Sequence, residues 1–217
     1  LRQITKWNDP ALLKLNPGLP DKPITPFCRD ESSGTTNIFT EYLSKRSPEF
    51  AKEFGTSKKP KWPSGVNAKQ GNAGIAEAVK NTPNTIGYVE LAFAKQNGIS
   101  YATLVNKAGK DVKPGPATVT AAVDAALLAP KGGEPYTLHP LAFSFTDAGG
   151  DDAYPIVGAS YAILYRKQPK DKGPVVVEFL RWATGDGQKF AAELDYAPLP
   201  QSLTRMSHEQ LNTVTFE

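Results

Sequence analysis

Apolar residues recur along this chain at two spacings, and the switching between them predicts strands and helices in alternation. Residues 24–28, Ile-Thr-Pro-Phe-Cys, form a short apolar run after a proline-rich link and read as a strand. Ile38, Phe39, Tyr42 and Leu43 follow at helical spacing and predict an amphipathic helix. Before the strand, Asn8-Asp9-Pro10 opens a short helix, since a cap followed by proline suits a first turn. Ser47-Pro48 starts another short helix that runs to Phe54 and ends at Gly55. Gln70-Gly71-Asn72-Ala73-Gly74 opens a helix carrying Ile75, Ala76, Ala78 and Val79. Residues 85–89 predict a strand, 90–96 a helix stopped by Asn97-Gly98, 101–105 a strand and 118–128 an alanine-rich helix. Residues 131–150 lack a period and read as a surface excursion. Beyond them, 160–165 predict a strand, while 175–183, 188–194 and 207–214 predict helices. Strands alternating with helices indicate an α/β layered fold.

One segment carries candidate chemistry. Phe27-Cys28-Arg29-Asp30-Glu31-Ser32-Ser33-Gly34-Thr35-Thr36 runs from the predicted strand into the predicted helix. The first N–H groups of a helix have no partner within it, and the helix dipole places partial positive charge there. Ser33 and Thr35 or Thr36 add hydroxyl donors, and Gly34 lacks the Cβ that would hold an oxyanion off the backbone. Arg29 supplies a full charge and a two-pronged fork suited to phosphate. The plainer reading is that Ser33 and its neighbours only cap the helix, with Arg29 in a surface ion pair with Glu31 or Glu41.

Composition narrows the classes. The chain has 217 residues, enough for one large domain or two small lobes with a real core. Its 25 basic and 22 acidic residues are too balanced, and too scattered, for a nucleic-acid-binding surface. Cys28 is the one cysteine, so the chain forms no internal disulfide, and its place in an apolar strand suggests a buried thiol. His139 and His208 lie far apart and in no metal-binding spacing. No run approaches the roughly 20 apolar residues that span a bilayer. The chain begins at Leu1 and has one methionine, Met206, which reads as a processed or truncated product. The Ser33-Gly34-Thr35 turn lacks the lysine and loop length of a nucleotide-binding P-loop, and no nucleophile elbow or triad context appears. An enzyme is therefore disfavoured, and neither a metal nor a cofactor is expected.

Taken in order, several motifs resemble the periplasmic phosphate-binding proteins of bacterial ABC transporters. Trp7-Asn8-Asp9 and Leu15-Asn16-Pro17-Gly18 are similar to that family's lead-in, and Arg29 to Thr35 resembles its Arg-x-Asp-Gly-Ser-Gly-Thr signature. Trp62-Pro63, Gly71-Asn72-x-Gly74-Ile75-Ala76, Ile86-Gly87-Tyr88-Val89-Glu90, Tyr154-Pro155-Ile156 and Asp195-Tyr196-Ala197-Pro198-Leu199-Pro200 continue it. The resemblance implies a Venus-flytrap fold, α/β and periplasmic binding protein-like, with one lobe nearly complete and the other only partly present. It implies a second lobe over residues 1–153 and a return into the first lobe over 154–217. It implies phosphate bound by Arg29, Ser33, Gly34 and Thr35, with Glu31 and Ser32 in support, and a membrane permease as partner. Glu31 stands where the family has Asp, and Ser32 where it has Gly. The resemblance also implies an extracytoplasmic location and a further N-terminal segment carrying more ligands. Without that segment, Ile163, Leu164, Phe179, Leu180 and Trp182 would expose apolar surface. Two other readings stand beside this one: a docking module that keeps the fold without transport, and a receptor for another oxyanion.

Overall fold

The structure is a computed structural model that describes residues 3–128, 141 and 144–217. It forms two compact units, Leu1–Ala102 and Thr103–Glu217.

The first unit is built on a parallel three-stranded sheet. After a short helix α1 (Pro10–Leu13) come β1 (Thr25–Arg29), α2 (Gly34–Arg46) and α3 (Pro48–Glu53). Then follow β2 (Asn67–Lys69), α4 (Gly71–Asn81), β3 (Thr85–Ile86) and α5 (Leu91–Gln96). The strand order is β2-β1-β3, with Phe27 opposite Asn67 and Thr25 opposite Thr85. Both crossovers carry helices, as parallel pairing requires. Phe27, Ile75 and Ala78 form the core between sheet and α4, and Val79 and Val89 pack around them. Gly87 is where the chain passes closest to α4: a Cβ built there would lie 2.9 Å from Ile75 Cγ2 and 3.1 Å from Val79 Cγ2. The apolar face read from Ile38, Phe39, Tyr42 and Leu43 is half-buried, whereas the enclosed positions of α2 are Thr36 and Thr40. Thr40 is tolerated there because its hydroxyl reaches the Thr36 carbonyl at 2.9 Å and both the carbonyl and N–H of Ser57 at 3.0 Å.

The second unit contains the antiparallel pair β4 (Leu104–Val105) and β5 (Asp111–Val112), then α6 (Pro116–Leu128). It continues with β6 (Lys167–Gln168), α7 (Gly173–Ala183), two short 3₁₀ helices, α8 (Gln201–Leu211) and β7 (Thr215–Phe216), which pairs parallel with β6. Its core joins Ala122 and Val123 of α6 to Phe145, Ala153, Val157 and Leu203 of α8. This core draws on both sides of position 153–154, where the sequence reading passes from one lobe to the other. Buried Asn106 fixes the β4–β5 turn, accepting from the N–H groups of Ala108 and Lys110 and donating to the carbonyl of Asp151 at 2.7 Å.

Several elements differ from the sequence expectation. Residues 160–165 form no strand; with no neighbouring strand to pair with among the described residues, alternation alone does not make a ladder. The 85–89 strand is confined to Thr85–Ile86, because the segment beyond leaves the sheet at Gly87. The helix expected over 188–194 is two 3₁₀ turns, and the last helix starts at Gln201 rather than 207, so that Leu203 and Leu211 are buried on one side. Within the expected excursion 131–150, residues 131–140, 142 and 143, His139 included, lie outside the described residues. Ile163, Phe179 and Trp182 are exposed, and Leu164 and Leu180 are half-buried.

Candidate functional site

The C-terminal edge of a parallel sheet is where successive helix N-termini converge, and this edge holds the predicted residues. Arg29 ends β1, and α2 begins five residues later at Gly34. Ser33 is the N-cap: its backbone is extended and its Oγ accepts from the Thr36 N–H at 3.2 Å. The capping reading of Ser33 therefore holds, and its own hydroxyl hydrogen is not used in that bond. The N–H groups of Gly34 and Thr35, and the Thr35 hydroxyl, have no partner among the described residues. Among the described residues, no atom beyond its chain neighbours and its own helix backbone lies within 4 Å of a Cβ built at Gly34, so packing does not demand glycine there. Ser32 is exposed and makes no bond among the described residues.

Arg29 is held from two directions. Glu31 pairs with it through Nε, at 2.6 Å, and through Nη2. Nη1 donates to Asn72 Oδ1 at 3.1 Å. A guanidinium has five N–H donors, so among the described residues one on each terminal nitrogen has no partner. The arginine side chain is only 12% exposed, which removes much of the water that would screen its charge. Glu31 also accepts from the Gly71 N–H at 3.2 Å, at the first position of α4. Gly71 takes φ +68°, a conformation that strains any residue with a Cβ. The Arg29 hydrogen bond holds the Glu31 carboxyl below its ordinary range, with backbone N–H groups adding to the effect.

Three more side chains complete the edge. Tyr88 Oη accepts from the Arg29 N–H at 3.2 Å and lies 2.8 Å from Thr36 Oγ1. Its ring stacks on Phe39 with centroids 4.4 Å apart, and burial pushes its phenol up. Asn72 Nδ2 donates to Glu90 Oε1 at 3.0 Å. The sequence reading singled out neither Asn72, Tyr88 nor Glu90 as a site residue. Asn72 stands in a run read as a helix opening, Tyr88 in the strand expected over 85–89 and Glu90 at the start of the helix expected over 90–96, all within motifs of the family resemblance. Arg29, Glu31, Ser33, Gly34 and Thr35 are thus brought to one edge. Cys28 is buried one residue before, and burial, with Asp30 nearby, pushes its thiol up. Among the described residues no three His, Cys, Asp or Glu side chains are grouped as a metal site.

Residues 1–187 match the family described as a PBP superfamily domain. The chain is 40% identical over 216 residues to a phosphate-binding protein PstS of Pasteurella multocida, covering 98% of this chain and 60% of that one. It is 38% identical over 217 residues to the PstS of Haemophilus influenzae (98% and 62%), and 34% identical over 232 residues to that of Methanocaldococcus jannaschii (99% and 58%). The chain thus spans about 60% of the length of these relatives. In fold it resembles an ancestral soluble variant of the human phosphate binding protein, with TM-score 0.65, 21% identity, and 98% and 66% of the two chains covered. It also resembles a high-affinity periplasmic phosphate-binding protein solved with phosphate, with TM-score 0.60, 21% identity, and 95% and 61% covered.

Proposed function

The chain belongs to the PBP superfamily, and on that premise we propose that it forms part of a receptor for inorganic phosphate. In this reading phosphate sits at the N-terminus of α2. The Gly34 and Thr35 N–H groups and the Thr35 hydroxyl donate to its oxygens, and the Ser33 hydroxyl hydrogen adds a donor. Arg29 contributes the two N–H groups that Glu31 and Asn72 leave unspent. Glu31 keeps the guanidinium aimed. The protein acts by binding and release rather than by bond breaking. It passes phosphate to an ABC transporter permease on the extracytoplasmic side. Residues 1–153 serve as one lobe, and 154–217 return into the other, which a further segment completes.

The observation that carries this reading is the juxtaposition of a half-buried arginine, with two N–H groups unspent, and the unpartnered first donors of a thirteen-residue helix. The names of the relatives, each a phosphate-binding protein, support it. The test is a calorimetric titration of phosphate into this chain and into its Arg29→Ala variant, with sulfate as competitor. Micromolar or tighter binding is expected. The variant should lose about 1.5–3 kcal/mol, the scale of a charge-assisted hydrogen bond. A wild-type chain without affinity, or a variant that binds equally well, overturns the proposal.

A further inference from the structure

We infer that Asn72 and Glu90 form a polar relay that aims the Arg29 guanidinium, so that α4, and not only the β1–α2 turn, sets how the anion is held. This inference rests on the phosphate reading of the same edge. Its basis is the direction of the hydrogen bonds. Arg29 can only donate, and a carboxylate can only accept. Asn72 lies between them, 3.1 Å from Arg29 Nη1 and 3.0 Å from Glu90 Oε1. Only one orientation of its amide satisfies both ends: oxygen toward the arginine and NH₂ toward the glutamate. Turning it over would set two donors against each other at one end and two acceptors at the other. Glu90 therefore dictates the amide, and the amide dictates which N–H of Nη1 is taken.

The second hold on the guanidinium comes from the same helix. Gly71, the residue before Asn72, donates its N–H to Glu31, which grips Nε and Nη2. The first two residues of α4 thus govern both contacts of Arg29. A planar guanidinium fixed along two of its edges has no rotation left, and its remaining two N–H groups point in fixed directions. Asn72 contacts the arginine and Glu90 contacts Asn72, so in this reading both act on the anion through Arg29. They are positioning residues, placed for preorganisation of the binding group.

The test exchanges the polarity of the relay. In Asn72→Asp, one carboxylate oxygen still faces Arg29, but the other meets Glu90 where an NH₂ stood. Two carboxylates in such contact cannot both stay ionised in place, so phosphate affinity should fall about tenfold or more. Glu90→Gln alone keeps an acceptor for Asn72 and should weaken binding less than Asn72→Asp does. The double variant, Asn72→Asp with Glu90→Gln, has the wild-type net charge, and the amide introduced at position 90 can now donate to the carboxylate introduced at position 72. It should return to within about threefold of wild type, a recovery that polarity matching predicts and simple loss of packing does not. An Asn72→Asp chain that binds like wild type, or a double variant as weak as the single one, overturns the relay.

A second measurement needs neither variant nor ligand. In ¹⁵N spectra of the wild-type protein, a guanidinium gripped along two edges gives separate Nη signals for Arg29, because rotation about its Cζ–N bonds is slowed. Averaged signals overturn the inference even if every variant fails to fold. If the wild-type chain binds no phosphate, the functional proposal falls, whereas averaged signals in these spectra overturn the relay independently of any ligand.

Discussion

Tyr88→Phe removes one oxygen atom and leaves the ring in place. The stack on Phe39, with centroids 4.4 Å apart and planes 18° apart, survives, so no cavity opens. What is lost is a bridge between the end of β1 and the first turn of α2. The Arg29 N–H loses its acceptor at 3.2 Å, and the Thr36 hydroxyl, in a residue only 1% exposed, loses its partner at 2.8 Å. An unsatisfied buried group costs about 1–3 kcal/mol. The Thr36 hydroxyl can turn toward a carbonyl of the preceding turn, so most of the cost falls on the Arg29 amide. A loss of about 2 kcal/mol is expected. With a urea slope of about 2 kcal/mol/M, the midpoint should fall by about 1 M. The assay is urea unfolding by tryptophan fluorescence in a Trp182→Phe background, which leaves Trp7 and Trp62 as reporters within the first unit. Trp62 lies 6.5 Å from the Tyr88 ring. Phe39→Leu is the control, because it removes the stack, worth about 0.5–1.5 kcal/mol, and keeps the bridge. A Tyr88→Phe midpoint within about 0.2 M of the parent would refute the claim that this hydroxyl ties strand to helix.

Two glycines should behave oppositely. Gly87→Ala drives a Cβ to 2.9 Å from the fully buried Ile75 and should cost about 1–3 kcal/mol in a thermal melt, whereas Gly34→Ala meets nothing and should leave stability intact while weakening phosphate binding. Glu31 has a depressed folded pKa, so its stabilising contribution is fully present above the ordinary glutamate value of about 4.3 and is lost as pH falls through the lower folded value. Urea midpoints measured from neutral pH down into that acid window should show a decline that is smaller in Glu31→Gln. Cys28 is 5% exposed with its thiol pushed up, so a thiol reagent at neutral pH should label it only on unfolding; fast labelling of the native protein would contradict its placement in the sheet.

Short-range chemistry was legible in the chain itself. The positions of α2 and α4, the cap at Ser33, the buried thiol of Cys28 and the arginine at the strand end all follow from periodicity, capping and turn residues within a few positions of one another. The partner of Arg29 did not follow from local residues, which left Glu31 and Glu41 both open; the family resemblance pointed to Glu31, and the fold gives Arg29 to Glu31 while Glu41 pairs with Lys45 on its own helix at 2.9 Å. Asn72 lies 43 residues from Arg29 and Tyr88 59 residues away, and only the parallel crossovers bring them to its side. Residues 160–165 show the converse, since their alternation has no ladder to join among the described residues. Local sterics and backbone hydrogen bonding decide what a segment can be. Which long-range neighbours share an edge depends on burying Phe27, Ile75 and Ala78 together, a condition that no short stretch of sequence contains.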